Sequence, residues 1–92
     1  MEVYMVQKVV EDMENYEYDT HEELFYKEED AQTYMEVLFE EEVRVLTELY
    51  CDEGEILEDY CEIDKELNHM SIYMEDQYWV GFNIEKKTIM SM

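Results

Sequence analysis

The sequence predicts an α+β fold, in which a small antiparallel sheet packs against one or two acidic amphipathic helices. Near both ends of the chain, apolar and polar residues alternate, which is typical of strands with one buried face. Between them, over 28–66, apolar residues recur at helical spacing. A length of 92 residues suits one modest core, so we expect a single domain over 1–92.

The charge raises the question of disorder. The chain has 27 Asp and Glu against six Lys and Arg, a net charge of −21. High charge combined with low hydrophobicity prevents collapse. Nine Tyr, three Phe, one Trp and eight Met nevertheless supply the apolar area that disordered acidic tails lack. We therefore expect a folded domain, with local disorder confined to the polar stretch 11–22.

The first elements in the chain are two predicted strands. Residues 2–10 (EVYMVQKVV) are rich in β-branched and aromatic types, and both of their alternating faces are mostly apolar. Residues 11–22 read as a polar connection with a turn near Asn15. Residues 23–26 (ELFY) then predict a short second strand that pairs back on the first.

A helical pattern follows, and it begins after the acidic run 28–30. Acids in the first turn favour the positive end of a helix dipole. Apolar residues then recur at helical steps to about residue 51. The register meets Glu42 where an apolar residue is expected, so 28–51 is either one helix or two helices joined near 40–42.

Gly54 suits a helix C-cap or a bend, and a second helix is predicted after it. Apolar residues step by four, three and four, and acids make the same steps one position earlier. An offset of one residue is about 100° around a helix, so the acids would form a ridge beside the buried stripe. The stripe comprises Ile56, Tyr60, Ile63 and Leu67. The ridge comprises Glu55, Asp59, Glu62 and Glu66.

From Asn68 the period changes to two, which predicts a C-terminal hairpin. Met70, Ile72 and Met74 alternate with polar neighbours, a turn follows at 75–77, and the alternation resumes over 78–84. Gly81 marks a bulge or a close backbone approach. The segment is nearly neutral and rich in aromatic residues and Met, so it is the candidate for core and for self-association.

Catalytic and metal-binding motifs are missing from the sequence. Counting back from Gly54 puts Leu49 at the first position of a calcium loop, where an oxygen ligand is required. Cys51 and Cys61, with the two His, lack the paired spacing of zinc sites. Neither a nucleophile motif nor a phosphate-binding glycine loop is present. We expect no enzymatic activity, no cofactor and no metal site.

The predicted location is the cytoplasm. The N-terminus opens with an acid and lacks the basic start of a signal peptide, so reduced thiols are expected at Cys51 and Cys61. No apolar run approaches the ~20 residues that a membrane span needs. The negative charge would also be repelled by anionic lipid headgroups, so no membrane association is expected.

The charge itself is the strongest functional signal. Residues 28–66 hold sixteen Asp and Glu against Arg44 and Lys65, a net of −14. Direct binding to nucleic acid is disfavoured, because Lys and Arg must neutralise phosphates. A protein that binds a phosphate backbone would instead accept carboxylates spaced ~5–6 Å apart along a helix. The simpler alternative is a solvated acidic face that serves only solubility.

In this combination the chain resembles the small, very acidic DNA-mimic proteins that bacteriophages encode against host DNA-binding proteins. The resemblance lies in the acidic helical region Glu28–Glu66 and the acidic connection Glu11–Glu23. The opening VYMVQKVVED and ELFYKEEDAQTYMEVL is also similar to the start of many small proteins of Gram-positive phages. The resemblance implies a basic host protein as partner: first the nucleoid protein HU, then CRISPR nucleases or restriction enzymes.

The leading hypothesis is therefore a DNA mimic, expected as a homodimer through its neutral hairpin or apolar helix faces. The alternative is an interaction module that binds through exposed aromatic residues and Met, with acids for solubility. A metal-buffering acidic protein is a third option. For the mimic, the predicted partner-binding acids are Glu36, Glu40, Glu41, Glu42, Glu48, Asp52, Glu55, Glu58, Asp59, Glu62 and Glu66.

Overall fold

The computed structural model describes residues 1–75 and 77–89. In chain order the elements are β1 (Glu2–Asp12), β2 (Glu17–Phe25), α1 (Glu28–Tyr50), a 3-10 turn (Leu57–Asp59), β3 (Glu62–Glu66), β4 (His69–Met74) and β5 (Tyr78–Thr88). The strands form one antiparallel sheet in the order β2-β1-β5-β4-β3. Helix α1 packs on one side of this sheet, which confirms the predicted α+β fold class.

The core lies between α1 and the sheet, because each central strand turns every second side chain toward the helix. Val6 of β1 and Val80 and Phe82 of β5 are at most 1% exposed. They pack against Met35 and Phe39 of α1. The rings of Phe39 and Phe82 meet edge to face with their centroids 6.1 Å apart, a favoured aromatic geometry.

The predicted C-terminal hairpin is confirmed as β4 and β5. Met70, Ile72 and Met74 all face the core. At the turn predicted over 75–77, the Gln77 backbone N–H donates to the Met74 carbonyl at 3.1 Å, while Asp76 lies outside the described residues. Gly81 pairs in register with both neighbouring strands, so it marks no bulge.

The prediction for residues 11–22 is wrong, because this stretch is neither a loose connection nor locally disordered. β1 continues to Asp12, and β2 begins at Glu17 rather than at residue 23. Every side chain of β2 before Phe25 is exposed, so its hydrophobic pattern gives no strand signal. Backbone pairing with β1 along the whole length of β2 nevertheless satisfies its N–H and C=O groups.

The turn near Asn15 is confirmed. The Asn15 backbone N–H donates to the Asp12 carboxylate at 3.1 Å, and its side-chain amide donates to the same group at 2.9 Å. These bonds hold the pKa of Asp12 below its ordinary value, the side-chain bond most of all. Tyr16 takes a φ of +56°, the left-handed conformation that closes the turn.

The prediction of a second helix after Gly54 is wrong. The segment forms only the 3-10 turn and then the edge strand β3, which pairs with β4. The helical spacing of the apolar residues was a coincidence, since Ile56 is 55% exposed and Leu67 is 71% exposed. Gly54 has a φ of +87° in a bend, three residues after the Cys51 C-cap of α1.

Helix α1 is continuous from Glu28 to Tyr50, so the alternative of two helices is excluded. The structure also explains why Glu42 interrupts the apolar pattern. Its side chain is 14% exposed and faces β1 and β5. It accepts hydrogen bonds from Lys8 Nζ at 3.3 Å and from the Tyr78 hydroxyl at 2.5 Å. Glu42 is therefore a polar contact between helix and sheet.

Replacing Tyr78 with Phe tests this contact. Burial, and then the bond to Glu42, raise the pKa of Tyr78. The raised pKa means that the contribution to stability is fully present below pH ~10 and is lost as the pH rises further. We expect Tyr78→Phe to lower the free energy of unfolding by about 1–2 kcal/mol at neutral pH, measured by urea denaturation.

The matched control is Tyr18→Phe, which removes the hydroxyl of a tyrosine that is 66% exposed on β2. We expect this control to unfold within about 0.5 kcal/mol of the unchanged chain. Equal stability of the two variants would contradict a structural role for the Glu42 contact.

Candidate functional site

One end of the sheet brings together several segments that are distant in the chain. The β1–β2 turn meets the β4–β5 turn, where the Met13 N–H donates to the Gln77 carbonyl at 2.9 Å. Helix α1 ends here, and the 51–61 connection leads from it into β3. We call the carboxylates at this end the acidic pole: Glu11, Asp12, Glu14, Glu17, Glu48, Asp52, Glu53, Glu55, Glu58, Asp59, Glu62 and Glu75.

Positive charge is scarce at the acidic pole. In the part of the chain that the structure describes, its one ion pair joins Arg44 to Glu48 at 3.1 Å, and both side chains are more than 60% exposed. Such an exposed pair neutralises little. The C-terminus of α1 adds the partial negative charge of its free carbonyls. The pole therefore presents strong, nearly uncompensated negative charge.

The opposite end of the sheet has a different balance. Lys27, Lys86 and Lys87 lie there, close to the chain's first residue, and Lys86 pairs with Glu2 at 3.2 Å. The molecule measures 53 × 28 × 16 Å, and an 11-residue strand spans about 36 Å, so the long axis follows the strands. Glu2, Glu28, Glu29, Asp30 and Glu85 lie at this end as well, so its negative charge is partly neutralised by the lysines, whereas that of the acidic pole is nearly uncompensated.

The Cys51 thiol reports the local field of the acidic pole. Burial raises its pKa, and the carboxylates of Glu55, Asp59, Asp52 and Glu58 raise it further. These four acids therefore surround the Cys51 thiol at the C-terminal end of α1. Cys51 and Cys61 are both free thiols and only partly buried.

Glu55, like Asp12, is a carboxylate of the pole that accepts two hydrogen bonds. It accepts hydrogen bonds from the Tyr60 hydroxyl and from the Asp52 backbone N–H, the latter at 2.6 Å. The Tyr60 bond is the main reason that the pKa of Glu55 lies below its ordinary value. Glu55 is consequently a fixed negative charge in the connection between α1 and β3.

The predicted acidic ridge does not exist as a helical row. Asp59 ends the 3-10 turn, and Glu62 and Glu66 lie on β3, where alternate residues are ~6.7 Å apart. The prediction that Glu42 binds a partner is also wrong, because its carboxylate points into the contact between helix and sheet. The remaining predicted acids of α1, namely Glu36, Glu40, Glu41 and Glu48, are on its exposed side. Of these, Glu36 is paired with Lys65 at 3.3 Å.

Several acids of the pole were missed from the sequence because they lie outside the central region. They reach the pole through the topology of the sheet, since both hairpin turns project from the same end. The two turns were predictable, and their placement side by side would have identified these acids. These residues are Glu11, Asp12, Glu14, Glu17 and Glu75. Glu53 was also missed, although it lies inside the central region, in the connection that follows α1.

Other kinds of site have no support in the described part of the chain. Among residues 1–75 and 77–89, no three His, Cys, Asp or Glu side chains are grouped so that they could hold a metal ion. No helix within those residues combines the length and the apolar character needed to cross a membrane. Comparisons with protein-family models, with curated proteins and with solved structures found no match to the chain.

Alkylation of Cys51 tests the clustering of acids at the pole. A chain with Asp52→Asn, Glu58→Gln and Asp59→Asn should have a lower Cys51 pKa and react faster with iodoacetamide at pH ~8. We expect an increase of about two- to fivefold, because the loss of three nearby negative charges raises the thiolate fraction at this pH, while the lower basicity of the thiolate offsets part of the gain. Mass spectrometry of the Cys51 peptide measures the rate.

Neutralising Glu29, Glu40 and Glu66 instead should leave that rate unchanged. These acids are exposed but do not contribute to the shift of the Cys51 pKa. An equal acceleration in both variants would mean that Cys51 senses only the overall charge.

Proposed function

We propose that this chain is a DNA mimic, which binds the basic DNA-binding surface of another protein through its acidic pole and blocks DNA binding. The observation that carries the proposal is the concentration of carboxylates at one end of the sheet, with Arg44 as the accompanying cation among the described residues. Binding of this kind requires surface complementarity and no catalysis.

The spacing of the carboxylates supports the proposal. Each strand of duplex DNA carries one phosphate per ~3.4 Å of axis. Alternate acids of β3 are ~6.7 Å apart, which is about two such steps, and the neighbouring loops raise the density further. A cationic cleft would therefore meet a charge density of the same order as that of a duplex.

The energetic cost of the charge is a second argument. Unpaired like charges on a compact body repel one another and lower its stability. A surface needed only for solubility would spread its acids among cations, as at the end that holds Lys27, Lys86 and Lys87. Selection for binding accounts for the accumulation at one end.

We propose HU, the cytoplasmic nucleoid protein of a bacterial host, as the first target. A CRISPR nuclease or a restriction enzyme is the alternative within the same mechanism. The homodimer predicted from the sequence stays a prediction. Much of the apolar side of helix α1 lies in the core, but Val37, Val45 and Leu49 of the helix remain exposed.

The alternative of an apolar interaction module would use exposed aromatic residues, and Tyr16, Tyr18 and Tyr26 are at least 66% exposed. Met70 and Met74 of the hairpin are buried, so they offer no exposed surface. What remains accessible on the hairpin is the pair Tyr73 and Trp79, on the side of the sheet that α1 leaves uncovered. In the proposed function, Tyr73 and Trp79 therefore add an aromatic contact to the charge of the acidic pole.

Displacement of labelled duplex DNA from purified HU tests the proposal by fluorescence anisotropy. We expect the chain to release DNA, with an affinity that falls steeply as salt rises from about 50 to about 300 mM. The variant Glu53→Gln, Glu58→Gln, Asp59→Asn should bind about tenfold more weakly, since each exposed ion pair contributes up to ~1 kcal/mol.

A matched variant, Glu29→Gln, Glu40→Gln, Glu66→Gln, removes the same charge away from the pole. We expect it to lose about threefold or less, as a general effect of net charge. Equal losses in the two variants would contradict a role for the pole. Failure to displace DNA from HU, a CRISPR nuclease or a restriction enzyme would overturn DNA mimicry.

A further inference from the structure

Near the acidic pole, the side of the sheet opposite α1 is accessible, whereas Val3 and Met5 at its other end are buried. The residues of the accessible part follow from the strand register. Glu62, Tyr73, Trp79 and Glu11 form one cross-strand row, on β3, β4, β5 and β1 in turn. The next row, toward the centre of the sheet, contains Asp64, Ser71, Gly81 and Val9. Large aromatic side chains in the first row therefore stand beside very small ones in the second.

This difference in size creates a groove of about 500 Å³, with Met13 at its border. The Trp79 indole leans across Gly81, where an added Cβ would lie 2.5 Å from its Cζ2 atom. Glycine is thus required for the indole to lie flat on the sheet. The flat indole and the Tyr73 ring give the groove an aromatic floor.

Carboxylates border the groove on both sides. Glu62 and Asp64 lie on the β3 side, and Glu11 lies on the β1 side. Neighbouring strands are ~4.8 Å apart, so the two sides are separated by roughly 14 Å of sheet. All three carboxylates are exposed, and no ion pair joins any of them to a cation in residues 1–75 and 77–89.

An independent feature lies at the base of the groove. Ser71 is 8% exposed, and it lines the groove between Asp64 and Gly81. Within the described ranges its hydroxyl makes no hydrogen bond. Since no buried side-chain oxygen or nitrogen of the described residues lacks a partner, this unbonded hydroxyl is in contact with solvent and is open to a group that enters the groove.

We propose that the groove binds an arginine side chain of the basic partner. A guanidinium is planar and stacks on indole and phenol rings, while its several N–H donors reach carboxylates at the sides. The Ser71 hydroxyl accepts a further hydrogen bond from it. This inference rests on the proposed function for the nature of the partner, and it adds the side chain that is recognised.

Other occupants fit the groove less well. A lysine ammonium is a compact, strongly hydrated charge that satisfies the carboxylates but not the aromatic floor. A second copy of the chain would bring the same carboxylates against Glu11, Glu62 and Asp64, and like charges repel. An apolar side chain would leave Ser71 and the carboxylates without partners.

Trp79 is the single tryptophan of the chain, so its fluorescence reports on the groove directly. The probe is a capped tetra-arginine peptide, compared with a capped tetra-lysine peptide of equal charge. We expect a saturable change in Trp79 emission with the arginine peptide, and a dissociation constant at least about fivefold higher for the lysine peptide. An equal response to both peptides, or none, would overturn the proposal.

Two substitutions in the groove should reduce the preference for arginine to less than about twofold. Asp64→Asn removes an exposed carboxylate and leaves the fold intact. Ser71→Val removes the hydroxyl, with urea denaturation as the check on folding. The pole variant Glu53→Gln, Glu58→Gln, Asp59→Asn is the control, and it should weaken both peptides by a similar factor. A preference that survives both groove substitutions would contradict the assignment.

The outcomes for the groove and for DNA mimicry are separable. If the chain displaces DNA from HU but Trp79 emission shows no preference for the arginine peptide, the groove proposal fails and the proposal of DNA mimicry is supported. If Trp79 prefers arginine but no DNA-binding protein is displaced, the mimic fails and the groove remains a site for arginine.

Discussion

Two lysines hold α1 against the sheet, and the distribution of charge elsewhere depends on that use. Lys8 contacts Glu42 and Lys65 contacts Glu36, each at 3.3 Å. Each ammonium also lies 5.8 Å from the centroid of a core phenylalanine ring. These contacts cross from sheet to helix and neutralise two carboxylates of α1, and the Lys8 pair is the more buried of the two. Since the chain has six Lys and Arg, their use here leaves few cations to offset carboxylates at the surface.

The parts of the fold that bury a regular apolar face were predictable from the sequence. β1, α1 and the β4–β5 hairpin each show a clear period and contribute to the core. The edge strand β2 was predicted only over its last residues, from residue 23, because its earlier side chains are exposed and show no buried face. The edge strand β3 was not predicted, because Ile63 fits a helical period by coincidence. Their conformation comes from pairing with a neighbouring strand. Acids on such edges also prevent pairing with other chains.

The candidate site was predictable in its charge and not in its position. Counting identified the acidic region, but the acids that meet at the pole come from separate segments of the chain that only the sheet brings together. Glu42 is the opposite case. It was predicted to bind a partner because it lies in an acidic run, but it forms a structural contact between helix and sheet. Gly81 carried a usable signal, because a lone glycine in a strand indicates a close approach. That the approaching group is the Trp79 indole depends on its rotamer, which no sequence pattern specifies.

The acidic pole and the groove act at different distances, and this divides their roles in binding. Exposed charge acts over about a Debye length, so the pole attracts a basic partner before contact and its effect weakens with salt. The groove acts only at contact, through stacking and hydrogen bonds in a partly desolvated site, where salt screens little. Charge at the pole should therefore govern the association rate, and the groove the dissociation rate. Because Glu11 and Glu62 belong to both features, a partner drawn to the pole is already adjacent to Trp79 when contact begins.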